Sequence, residues 1–351
     1  MRVVGLDIGG ANVKGCGISI DVSGELSGVI SVSHDFPIWL RDRLQLWGLL
    51  EESIEYLAER MKPDMVSVVM TAELSDTFST KREGVLTIVE GLEEILDSES
   101  LLFPTVDLEL FNLEQAKVNP LSIAAANWPA LAWAVGRKVS ECLLIDIGST
   151  TTDIIPISDG LPQTFGSDDT SRLTHGELVY TGALRTDLPA IVKFVNIDGN
   201  KVRVSSERFA FSADVHLVLS NITESQYTCD TADGRGKTVE ESAARIARLV
   251  CGDIESLTKE QILSVASQVY EHQLIDIADG VKQVINEHEL PSDCPVILSG
   301  LGAYFLGRPA AEKTNLGSQH SVQEVLGIDE NVAETAYACA LFAGLAKSDD
   351  Q

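Results

Sequence analysis

The residues with the most chemical content in this sequence are two aspartates, Asp7 and Asp146, each ending an apolar run and each followed two residues later by glycine. Around the first the sequence reads GLDIGGANVKG, and around the second LIDIGSTTTDI. A strand that ends this way sets a carboxylate beside exposed backbone N–H groups. The N–H donors suit phosphate oxygens, and the carboxylate suits a hydrated magnesium ion, which gives up its water reluctantly. Gly9, Gly10 and Gly148 permit close backbone approach, while Ser149, Thr150 and Thr151 add hydroxyl donors and Asn12 closes the first turn. A third glycine-rich corner, Ser299-Gly300-Leu301-Gly302-Ala303, follows the apolar run 295–298. One such turn would read as an ordinary hairpin. Two matching copies and the third corner point to a magnesium-complexed polyphosphate held between glycine turns, with Asp7 and Asp146 holding the metal.

The elements that must position these residues follow from periodicity. Residues 3–8 and 13–20 read as strands around the first turn, and 143–147 and 152–157 as strands around the second. The recurrence is an internal duplication signal. Helical spacing appears over 44–60, 84–96, 122–139, 239–251, 259–287 and 331–347, and 64–70 reads as a buried strand. Residues 177–218, rich in β-branched residues and turns such as Asn196-Ile197-Asp198-Gly199-Asn200, read as hairpins within an insertion. The expected organisation is two α/β lobes: 1–138, completed by a C-terminal helix 331–347, and 139–330, with phosphate loop 2 and the corner 299–303.

Composition bounds the function. A chain of 351 residues exceeds the roughly 100–200 expected of one domain, and 44% hydrophobic residues can fill two cores. With 53 acidic against 26 basic residues, the formal charge of −27 excludes nucleic acid and anionic membrane as ready partners. The acidity reads as a solubility trait. Six cysteines without a C-x-x-C pair argue against a zinc site or disulfide framework and read as reduced core residues. No signal peptide and no apolar run of about 18 residues is visible, so the expected location is the cytoplasm.

The runs 7–14 and 146–153 resemble the two phosphate loops of the actin, sugar kinase and heat-shock chaperone superfamily, and 298–303 resembles its adenosine-side motif. That resemblance implies a two-lobed actin-like ATPase fold, a duplicated ribonuclease H-like α/β architecture with a central cleft. A closer resemblance, through Thr71-Ala72-Glu73-Leu74 and 146–153, is to the hydantoinase and oxoprolinase branch. Within that branch the chain is most similar to the methanofuran-biosynthesis synthases of tetrahydromethanopterin-linked one-carbon metabolism. The supporting stretches are KREG at 81–84, AAANW at 124–128, GELVYTGALRT at 176–186 and TADGRGK at 231–237. This resemblance implies a transferase that condenses an aminomethylfuran-methyl diphosphate with the phenol of γ-glutamyltyramine, forming an ether and releasing diphosphate. It leaves room for ATP in the fold but implies that turnover does not consume it.

For that chemistry Lys14, Arg185 and Arg235 are the cations expected near phosphate, Arg185 foremost because a guanidinium grips phosphate bidentately. Glu73 and Asp153 are the carboxylates that could take the phenol proton. His175 reads as a surface residue, and Trp128 and Trp133 as core. Two other functions fit the same fold: an ATP-dependent small-molecule kinase or hydantoinase-like hydrolase, and a non-enzymatic actin-like or chaperone-like nucleotide switch. The sequence carries no identifiable sugar-binding motif, large catalytic partner region or peptide-binding module for them, and says nothing of oligomeric state.

Overall fold

The computed structural model describes residues 1–21, 26–38 and 43–349. They form two compact units, Met1–Glu141 with Ile157–Gln163 and Val322–Gln351, and Cys142–Pro156 with Thr164–Ser321.

In the first unit β1 (Arg2–Ile8) and β2 (Asn12–Ile20) pair antiparallel, with Asp7 opposite Lys14. The hairpin grows through β3 (Leu26–Asp35) on one side. On the other, β4 (Met65–Met70) runs parallel to β1, which sets Ile8 beside Met70. With β5 (Leu101–Pro104) and β6 (Leu110–Asn112) the strand order is β3-β2-β1-β4-β5-β6. The central strands are covered on both faces, which is why they read as near-continuous apolar runs. Strand alternation sends Val4, Leu6 and Ile8 into a core shared with helices Arg43–Met61 and Lys81–Ile95. Gly5 turns the other way: a Cβ there would stand 2.0 Å from the Ala336 carbonyl oxygen of helix Glu334–Asp349. Gly5 and the small residues of that helix therefore set how closely helix and sheet approach.

The second unit repeats the plan. β7 (Cys142–Ile147) and β8 (Thr152–Ser158) are neighbours; the last two residues of β8 and the short β9 (Leu161–Pro162) that pairs with them are counted with the first unit. β10 (Leu178–Val179) lies on the far side of β8. A separate hairpin is formed by β11 (Phe194–Ile197) and β12 (Asn200–Arg203). β13 (Val296–Ser299) runs parallel to β7, as β4 does to β1, and sets Ser299 beside Asp146. β14 (Gln319–Ser321) completes the order β10-β8-β7-β13-β14. Helix Lys259–Glu287 covers this sheet with Leu274, Ile277, Val281 and Val284.

Three expectations need correction. The helix expected over 122–139 begins only at Asn127, because Ala124 bridges to Met70 and Ala125 has φ 51°, so pairing with the sheet overrides alanine's helical preference. Of the hairpins expected over 177–218, the one at 196–200 forms, with Gly199 at φ 82°. Two short stretches of the remainder are helical instead, Leu188–Ile191 opening with Pro189 in its first turn and Ser212–Val218 burying Val215 in a local core. The cysteines are all free, but Cys251 is exposed and Cys229 half-buried, so only Cys16, Cys142, Cys294 and Cys339 are core residues. Among the described residues no helix is long and apolar enough to cross a membrane.

Candidate active site

The first turn is closed by the Gly9 N–H, which donates to the Asn12 carbonyl at 2.9 Å. The Gly10 and Ala11 carbonyls accept from the Ile38 and Phe36 N–H groups at 3.0 and 2.9 Å. Gly9 is tightly placed, since a Cβ there would lie 3.0 Å from the Asn12 carbonyl oxygen. Because β4 ends level with β1, the Thr71 N–H donates to the Ile8 carbonyl at 3.0 Å, and Thr71 Oγ1 would stand 3.7 Å from a Gly9 Cβ. Glu73 follows in the 3-10 turn Ala72–Leu74 and is 1% exposed. Its backbone lies against helix Lys81–Ile95 at Gly84, where a Cβ would meet it at 2.6 Å. Asp7 is 6% exposed. Burial pushes its carboxyl above the usual range, and the Lys14 ammonium pulls it back. The first unit thus gathers Asp7, Gly9, Gly10, Asn12, Lys14 and Glu73 at one end of β1, β2 and β4.

The second turn closes the same way, Gly148 N–H to Thr151 carbonyl at 3.0 Å. It is held from outside by segment 182–185. The Ala183 N–H donates to the Gly148 carbonyl at 2.9 Å, and the Leu184 and Arg185 N–H groups donate to the Ser149 carbonyl at 2.9 and 3.0 Å. Gly182 is required by closeness, its Cβ position being 2.5 Å from the Thr150 carbonyl carbon. Arg185 Nη1 donates to Thr150 Oγ1 at 3.2 Å, and Ser149 Oγ lies 3.4 Å from the same oxygen. Gly300, at φ 83°, would carry a Cβ 2.6 Å from Asp146 Oδ1, and the Gly302 N–H donates to the Ile147 carbonyl at 2.9 Å. The second unit therefore joins Asp146, the turn 148–151, Arg185, Gly300 and Gly302. Arg235 is placed differently, on the loop before helix Val239–Arg248, with its side chain 65% exposed and 3.9 Å from Asp233. That loop meets the 182–185 segment through Cys229, whose thiol reaches the Leu184 carbonyl at 3.8 Å.

Aligning the two runs pairs Lys14 with Asp153, so the duplication reverses a charge. Asp153 is buried, which raises its pKa, and the Arg172 guanidinium lowers it again. Arg172 Nη1 donates to Asp153 Oδ1 at 2.8 Å, and Nη2 donates to the Glu177 carbonyl at 3.0 Å. The sequence reading did not single out Arg172, which lies outside both runs. It also missed a buried chain of hydrogen bonds behind segment 182–185. Gln273 Nε2 donates to Thr181 Oγ1 and to the Gly182 carbonyl, both at 2.9 Å. Its Oε1 then serves as acceptor for His216 Nε2 at 3.0 Å, while Asn221 Nδ2 lies 3.2 Å from His216 Nδ1. Burial pushes His216 down to about 3, so the ring is neutral and this tautomer satisfies both nitrogens. His175, expected at the surface, is half-buried and paired with Glu287 at 2.8 Å. Trp128 is buried as expected, but Trp133 is only half-buried, edge-to-face with Phe342 at 5.0 Å, and so is not a core residue.

Among the described residues no group of three or more His, Cys, Asp or Glu side chains is placed to hold a metal. A carboxylate next to a glycine turn nevertheless fits magnesium, which is held through one or two carboxylates, phosphate and water.

Duplicated strand-turn-strand units, each with a parallel strand beside its first strand, define the actin-like ATPase fold class. The chain belongs to the hydantoinase/oxoprolinase family, whose model matches residues 64–342. It is 34% identical over 97% of its length, and 97% of the other chain, to the (4-{4-[2-(gamma-L-glutamylamino)ethyl]phenoxymethyl}furan-2-yl)methanamine synthase of Methanocaldococcus jannaschii. A protein of the same name from Methanococcus vannielii is 34% identical over 57% of this chain and 90% of its own. Among solved structures, nucleotide-free acetone carboxylase, described as acting in ATP-dependent acetone carboxylation, shares the fold. The TM-score is 0.54 at 11% identity, over 97% of this chain and 70% of that one.

Proposed function

We propose that this chain is a transferase that forms an aryl-alkyl ether, the product being the one named for its relatives. The observation that carries this is 34% identity over 97% of both chains to the Methanocaldococcus jannaschii synthase. The product joins a phenol oxygen to a methylene on a furan ring. A furan-methyl diphosphate supplies that methylene already bonded to a leaving group. The carbon–oxygen bond to diphosphate breaks, and its electron pair departs with the diphosphate. The phenol oxygen forms the new bond as its proton passes to a carboxylate. The furan ring stabilises the positive charge that builds on the methylene.

The backbone N–H groups of turns 9–12 and 148–151 other than those of Gly9 and Gly148, which close the turns, would bind phosphate oxygens, Arg185 adds a guanidinium at Thr150, and Lys14 and Arg235 add positive charge. Asp7 and Asp146 are the residues that would hold magnesium, which when bound would neutralise charge developing on the departing diphosphate. Glu73 is the proposed base because it is buried in the turn that follows β4, beside the first glycine turn, whereas Asp153 pairs with Arg172. ATP is not consumed, because the furan substrate brings its own leaving group. The substrates are small molecules, and at a charge of −27 nucleic acid and anionic membrane are not partners of a protein working in the cytoplasm.

Purified protein incubated with the furan diphosphate, γ-glutamyltyramine and magnesium should give the ether by mass spectrometry, and chelation should stop it. A phosphorylated product would move the assignment to a kinase.

A further inference from the structure

Beyond Arg185, which meets Thr150 of the second turn, the chain is clamped to segment 210–212. The Ser212 N–H donates to the Thr186 carbonyl at 2.8 Å, the Leu188 N–H donates to the Ala210 carbonyl at 3.3 Å, and Asp187 forms a β-bridge with Phe211. On this clamp Arg208 Nε lies 3.0 Å from Asp187 Oδ1 and donates to Oδ2 at 3.2 Å. The guanidinium carbon sits 5.8 Å from the centroid of the Phe211 ring. Only Nε is used in this pairing, and the Arg208 side chain is 67% exposed. A guanidinium anchored through Nε presents its two terminal nitrogens as a fork that fits a carboxylate bidentately. Arg208 is also near enough to Arg185 to act on it. The proton affinity of Arg185 is lowered first by burial, and among the charges around it the Arg208 charge lowers it and Asp187 raises it. A chain with 27 more negative than positive charges thus places two arginines on one short, hydrogen-bonded path leading from the second turn.

The proposed synthase reading, on which this inference rests, supplies an anion for each. Diphosphate is the first. The second comes from the γ-L-glutamylamino group in the name of the relatives' product. Linkage through the γ-carbon leaves the α-carboxylate free at the end of the tail, away from the phenol. We infer that Arg208, oriented by Asp187, binds the α-carboxylate of the γ-glutamyl tail and so makes the protein select a γ-glutamylated phenol. Asp187 is a positioning residue: its carboxylate fixes Nε and leaves the terminal edge turned outward.

The test compares γ-glutamyltyramine with its 4-aminobutanoyl analogue, which lacks only the α-carboxylate, at saturating furan diphosphate. For the wild type, KM should be about 10- to 100-fold higher for the analogue, the scale of a charge-assisted hydrogen bond. Arg208→Gln should raise KM for γ-glutamyltyramine by a similar factor and leave KM for the analogue unchanged, with the effect in KM rather than kcat. Arg208→Lys, which keeps the charge without the fork, should recover part of the loss. If Arg208→Gln changes KM equally for both phenols, or for neither, the inference is wrong while the synthase reading stands. A wild-type protein that makes ether from neither phenol overturns the synthase reading, and the inference with it.

Discussion

Asp7 is buried, and the charge opposite it across the strand pair is Lys14. Replacing its carboxylate with an amide of the same shape keeps the packing and removes the charge. Asp7→Asn, and likewise Asp146→Asn, should therefore leave the thermal midpoint close to that of the wild type or above it. Turnover should fall by roughly two to three orders of magnitude, the scale on which a positioned electrostatic stabiliser acts. Near-normal turnover of both variants at saturating magnesium would contradict the metal assignment. Asp153 behaves differently because its partner is buried with it. Arg172→Ala would leave that carboxylate without its guanidinium, and stability should drop by about 3–5 kcal/mol, read from the urea midpoint. A drop below about 1 kcal/mol would mean that the pair is solvated. Both aspartates stand out in the sequence because each sits in a copy of the same run. Arg172 does not, because what makes it matter is a contact 19 residues away rather than a neighbour in the chain.

At the scale of elements, the second turn is positioned by segment 182–185 as much as by its own strands. Gly182→Ala would put a methyl 2.5 Å from the Thr150 carbonyl carbon, so the turn must move. A displacement of about 1 Å at a catalytic group can cost about 100-fold, and activity should fall on that scale while the far-UV spectrum stays native. Retention of full activity would mean that the turn's position is not critical. Behind this segment, His216 ties helix Ser212–Val218 to Gln273 of helix Lys259–Glu287. Its pKa is about 3 in the folded chain, against an ordinary 6.5. The unfolded chain therefore binds the proton that the folded chain refuses, and stability is lost as pH falls from about 6.5 towards 3. His216→Gln should reduce the loss of stability between pH 7 and pH 5, measured as the shift in urea midpoint. An equal loss in both proteins would show that another group titrates. The strands and turns around Asp7 and Asp146 were legible because apolar runs broken by glycine have few alternatives. The 182–186 support was quoted as a motif but read as hairpin, since Gln273 and His216, which fix it, lie in helices with no local signal.

Over the whole molecule the duplication is the organising fact. Each unit carries a sheet with an antiparallel hairpin joined to a parallel strand, and each turn is closed by a glycine N–H to the carbonyl three residues on. That repetition was readable because it is written into two runs of eleven residues. The long helices were readable too, 259–287 to the residue. The helical parts of 177–218 were not, because their β-branched residues serve a local core of helices rather than a sheet. A fold shared with ATP-dependent enzymes does not fix whether ATP is used. The diphosphate proposed for the furan substrate would make phosphoryl transfer redundant. The most direct measurement therefore places a heavy-oxygen label on the bridging oxygen of the furan-methyl diphosphate and follows it with ATP withheld. The account predicts ether formation without ATP, with one diphosphate released per ether and all the label in the diphosphate. Label retained in the ether, or product that forms only when ATP is added, would contradict it.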